Sequence, residues 1–60
     1  MSEKLNAAKE QLIANHVKRA TELSKELQEA WEKRKISTLY SLFNMLEERA
    51  HHAKKELLNV

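Results

Sequence analysis

The sequence predicts an all-α fold: a two-helix antiparallel hairpin that pairs with a second copy into a four-helix bundle. Three observations predict it. The 60 residues include no glycine and no proline. Apolar side chains recur at steps of three and four, and that recurrence breaks once, between Trp31 and Ile36. A chain rich in Ala, Leu, Glu, Lys, Gln and Arg has the composition of helix.

The first helix is expected over about residues 2–33, with Ser2 as its N-cap. Leu5, Leu12, Leu23, Leu27 and Ala30 fall near a 3.6-residue repeat, and Ile13, Val17, Ala20 and Trp31 widen that stripe. Between Trp31 and Ile36 lie Glu32, Lys33, Arg34 and Lys35, with no apolar residue among them. A turn is therefore expected over about residues 34–37, the three cations suiting the negative end of helix 1.

The second helix is expected over about residues 38–59, capped by Ser37 or Thr38 with Ile36 as a staple. Ile36, Leu39, Phe43, Leu46, Ala50, Ala53, Leu57 and Val60 alternate in threes and fours, an a/d heptad pattern. No glycine stands at a C′ position, and no Glu or Gln follows either cap by three residues. One long helix in a coiled coil is accordingly the alternative.

Folding back at Lys35 sets Trp31 against Leu39 and Tyr40, Leu27 against Phe43, and Leu23 with Ser24 against Leu46. It also sets Ala20 against Ala50, Val17 against Ala53, and Ile13 against Leu57. Large layers then meet large, and small meet small.

Two helices cannot cover this much apolar surface. Leu39, Tyr40, Leu42, Phe43, Met45 and Leu46 point nearly all the way round one helix, and helix 1 adds Leu5, Leu12, Leu23, Leu27 and Trp31. These eleven form the expected dimer or partner interface. A lone 60-residue hairpin without staples is marginal, so a homodimer is expected. A docking groove for another protein is the alternative use of the same face.

Several functions are excluded at this stage. Without cysteine there is no disulfide framework and no zinc finger, and without glycine no phosphate-cradling loop. No apolar run spans a membrane, and Met1 to Ala20 lacks the pattern of a secretory signal, so a cytoplasmic protein is expected. The net charge of +2 is too small and too mixed to define a partner.

Few residues carry chemical promise. Glu48 and His51 have the Glu-x-x-His spacing of di-metal bundles, but the heptad frame turns both outward and helix 1 offers no inward glutamate. Glu47 with His51 and Glu48 with His52 are read as solvated pairs, so no metal and no cofactor is expected. His16 sits on the apolar stripe as an edge histidine, with a pH-sensitive interface as its functional reading. Trp31, Tyr40 and Phe43 are expected to plug the bundle end. Catalysis has no cleft, no cysteine and no His–acid pair beside a serine.

The function expected is a small non-enzymatic regulator or adaptor, a homodimeric interaction module that binds another macromolecule, a protein first. The alternative is nucleic-acid binding through Lys18, Arg19, Lys25, Lys33, Arg34 and Lys35, with the aromatics stacking bases.

Overall fold

A computed structural model describes residues 6–58 as two helices packed against each other, α1 (Ala7–Glu32) and α2 (Ile36–Leu58). The expected hairpin is present, and the unbroken single helix is not. The chain measures 44 × 19 × 15 Å.

The start of α1 is set by Asn6. Its extended backbone, φ −73° and ψ 168°, leaves its side-chain oxygen free to accept the Lys9 amide at 2.7 Å. Its carbonyl takes the Glu10 amide at 2.9 Å. The donors that a helix start leaves unsatisfied are thus partly answered by one residue. Ser2, the expected cap, lies outside the described residues, and the cap that closes α1 is Asn6.

The turn is shorter than expected: residues 33–35 rather than 34–37. Arg34 stands in the left-handed region, φ 54°. Its amide donates to the Trp31 carbonyl at 3.0 Å, and the Lys35 amide reaches back to Ala30 at 2.8 Å. Those two bonds are the paired closure of a Schellman motif, built here without glycine. Lys35 then hands its carbonyl to the Leu39 amide at 2.9 Å, so α2 begins at Ile36. Ser37 and Thr38 consequently lie inside the first turn of α2, and neither caps it.

The seam between the helices follows a seven-residue step. Lys9 meets Glu56 at 2.8 Å and Arg49 meets His16 at 3.1 Å. Leu23 and Leu42 are buried together with Ala30, and Leu27, Leu39 and Leu46 pack against them. This register differs by about one helical turn from the expected one, in which Ile13 meets Leu57 and Ala20 meets Ala50. Part of the cause is local: closing the chain in three residues starts α2 at Ile36 and slides it along α1.

Candidate interaction face

The two broad sides of the hairpin differ in chemistry. On one side, near the turn, Leu27, Trp31, Leu39 and Phe43 line a groove edged by Ser24 and Gln28. Toward the open end Ile13, Val17, Ala20, Leu46, Ala50, Ala53 and Leu57 continue it, with His16 and Arg49 among its lining residues. These residues step by four and three along both helices. Two heptad stripes therefore share one side of the molecule.

The heptad read from α2 thus points mainly at this open side and not at α1. The seam takes the adjacent stripe of Leu42, Arg49 and Glu56 instead. Phe43 remains 54% exposed, Trp31 51%, Val17 60% and Leu57 52%. Exposed apolar area gathered in this way is uncommon on a monomer.

The opposite side is polar. His16, Arg19, Glu48, Arg49 and His52 ring a cleft over Leu23 and Met45. Nearer the turn Glu26, Glu29, Lys33, Lys35 and Thr38 ring another over Ala30 and Leu42.

The structure distributes the expected interface residues among several places. Leu23 and Leu42 are enclosed between the helices, while Leu27, Leu39 and Leu46 border both the seam and the apolar side. Trp31 and Phe43 stand on the apolar side itself. Tyr40 and Leu12 are exposed, and Met45 opens onto the polar side. Leu5 lies outside the described residues. Ile13, Val17, Ala20, Ala50, Ala53 and Leu57 belong to the face but not to that expected set; the heptad spacing marks Ala50, Ala53 and Leu57, and the widened stripe of helix 1 marks Ile13, Val17 and Ala20.

The aromatics do not plug anything within one chain. Tyr40 is 72% exposed, and Trp31 is covered only on one face, where the Arg34 guanidinium stacks 3.9 Å from its ring. Arg34 also donates to the Trp31 carbonyl.

The six cations of the nucleic-acid reading are not brought to one surface. Lys18 and Lys25 share an exposed stripe of α1, whereas Arg19 is held by Glu22 at 3.3 Å and Glu26 at 3.6 Å. Lys33, Arg34 and Lys35 crowd the turn, with Arg34 already engaged by Trp31. Among the described residues no three His, Cys, Asp or Glu side chains gather as a metal site, and no helix is long and apolar enough to cross a membrane. His51 and His52 meet edge to face, 5.8 Å apart, and are exposed.

One titration is perturbed at the open end. The Lys9 ammonium, by hydrogen bond and by charge, holds the Glu56 carboxyl below the usual carboxylate range. No family model matches the chain, and no curated protein or solved structure shows significant similarity to it.

Proposed function

We propose that the protein is a non-enzymatic, homodimeric interaction module, a small regulator or adaptor whose apolar side is covered by a second copy in a four-helix bundle. The polar sides of that bundle then carry contacts to a partner protein. The observation that supports this reading is the pair of heptad stripes exposed on one side of the hairpin, with Phe43 at its middle. A two-helix hairpin that stops at its own seam leaves this area in water. At about 25 cal/mol per Å2, covering it is the largest stabilisation open to so small a chain.

Sedimentation equilibrium tests the self-association. The chain is expected to run as a dimer at micromolar concentration, and Phe43→Glu is expected to run as a monomer because it sets a carboxylate in the apolar face. A wild-type monomer at that concentration defeats the proposal. Capture of a partner from cell extract, with and without nuclease, tests the adaptor role. Binding that depends on nucleic acid, falls steeply with salt and is lost in Lys33→Glu with Lys35→Glu favours the nucleic-acid reading instead.

A further inference from the structure

The polar side of the hairpin holds a cleft with a charge pattern of its own. Its volume is about 320 Å3, at the small end of the roughly 300–1,000 Å3 in which proteins hold small ligands. Leu23 and Met45 form its floor. Around them α1 supplies His16 and Arg19, and α2 supplies Arg49 and His52. Each helix thus sets one imidazole and one guanidinium three residues apart, a spacing that puts both on one helix face. The two pairs enter the same cleft from opposite walls. Glu48 is the one carboxylate in the lining, and it is exposed.

The two guanidiniums are poorly matched within the chain. Arg49 is half-buried, and its side-chain partner is the His16 nitrogen at 3.1 Å. Among the described residues no carboxylate pairs with Arg49. A cation drawn partly out of water without a counter-charge favours an anion beside it. Arg19 does have carboxylates, Glu22 at 3.3 Å and Glu26 at 3.6 Å, but both distances exceed the about 2.7–2.9 Å of a strong charge-assisted bond. Both glutamates are half-exposed, and pairs of that kind are weak enough to yield to a better-placed anion.

We infer that this cleft binds a phosphate monoester, its phosphoryl oxygens bridging Arg19 and Arg49. Such a group carries about −1.5 to −2 charge at neutral pH and three strong acceptor oxygens. Arginine's planar fork is built to donate to it. A tetrahedral group turns oxygens toward both walls, whereas a planar carboxylate is satisfied by one fork. The imidazole of His52 adds a ring N–H at the rim. Glu48 opposes an anion, but its exposed charge is screened by water and salt. The volume beyond the phosphoryl group takes the organic part of the ester, with Met45 as its apolar contact. The cleft lies within one chain, so the inference stands whether the hairpin is single or paired.

Nuclear magnetic resonance titration with inorganic phosphate, at neutral pH and fixed ionic strength, tests it on the ring signals of His16 and His52. Saturable shifts of both are expected. Phenyl phosphate and a phosphoserine peptide form two further arms. Tighter binding of the first identifies a free small ester as the source, and tighter binding of the second identifies a phosphorylated side chain. Benzoate is expected to bind more weakly than phenyl phosphate. Arg49→Gln is expected to weaken phosphate binding about tenfold or more, the worth of one charge-assisted hydrogen bond. Arg19→Gln is expected to do the same, and because it touches only exposed pairs of its own helix it serves if Arg49→Gln unfolds by circular dichroism. Lys54→Gln removes the same charge from an exposed site outside the cleft and is expected to leave binding unchanged. Shifts that rise linearly without saturating overturn the inference. So does benzoate binding as tightly as phenyl phosphate, or a folded Arg19→Gln that binds phosphate as well as Lys54→Gln does.

Discussion

The Arg49 guanidinium donates to the Nδ1 of His16 across the seam, at 3.1 Å. Arginine can only donate, so Nδ1 is the acceptor in this contact. Both side chains are half-buried, and the next seam layer outward is the Lys9–Glu56 pair. The seam is thus oily near the turn, at Leu23 and Leu42, and polar toward the open end. Polar pairs held in a partly dry position return less than well-packed hydrocarbon of similar size. His16→Leu combined with Arg49→Leu is therefore expected to stabilise the protein by about 1–2 kcal/mol. For a chain of this size that raises the melting temperature by about 4–8 °C per kcal/mol. Circular dichroism melts of the double variant check it, and an unchanged or lowered midpoint counts against a purely energetic view of this layer.

Arg34 presents two opposed effects. Its left-handed backbone, φ 54°, costs an ordinary L-residue about 1–2 kcal/mol that glycine does not suffer. Its side chain compensates in part by lying on the Trp31 ring, worth about 0.5–1 kcal/mol at an exposed site. Arg34→Ala loses the stacking and keeps the backbone cost, so it is expected to destabilise the hairpin. Arg34→Gly loses the stacking but relieves the backbone and is expected to lie close to the wild type. The gap between the two variants in urea unfolding is expected to be about 1 kcal/mol. Equal midpoints would show that the turn does not hold this conformation in solution.

That turn marks the boundary of what the sequence discloses. Helix identity was legible because composition and period agree over both halves, and the chain reversal was legible because Glu32 to Lys35 interrupts every apolar stripe. Its length was not, since the usual glycine signal is replaced by an arginine tied to the preceding tryptophan. The register depends in part on that turn and is no more legible than its length. The heptad spacing of α2 marks an apolar stripe, but spacing alone does not say which of two adjacent stripes faces α1. Leu42, Arg49 and Glu56 do so because Lys9 and His16 on α1 offer partners to the two polar ones. A polar residue inside a seam is invisible to a search for apolar periodicity. The candidate face was therefore legible in its residues and illegible in its direction.

Acid should weaken the open end first. Glu56 is held below the usual carboxylate range by Lys9, so its ionised form favours the folded chain. A carboxyl lowered on folding contributes stability above its unfolded value and loses that contribution as pH falls through its folded value. Between about pH 5 and pH 3 the wild type is accordingly expected to lose more stability than Glu56→Gln, which has no proton to bind there. Comparing thermal midpoints across this range checks it. Parallel curves for the two proteins would mean that the ion pair is not formed in solution. High salt is expected to shrink the difference, because the pair is only partly shielded from solvent.

Leu23 is 1% exposed and clusters in the seam with Leu42 and Ala30. Trimming it to alanine removes buried methyl groups and leaves a cavity that two rigid helices cannot fully close. Such substitutions cost about 2–5 kcal/mol. A 60-residue domain has on the order of 3–9 kcal/mol in total, so Leu23→Ala takes a large share of it. Leu58, 83% exposed, is the contrasting site: Leu58→Ala is expected to change stability by less than about 0.5 kcal/mol. Far-UV circular dichroism with urea unfolding distinguishes the two. If Leu23→Ala unfolds at the same denaturant concentration as Leu58→Ala, the seam at Leu23 is not what holds α1 against α2, and the apolar side must supply that adhesion.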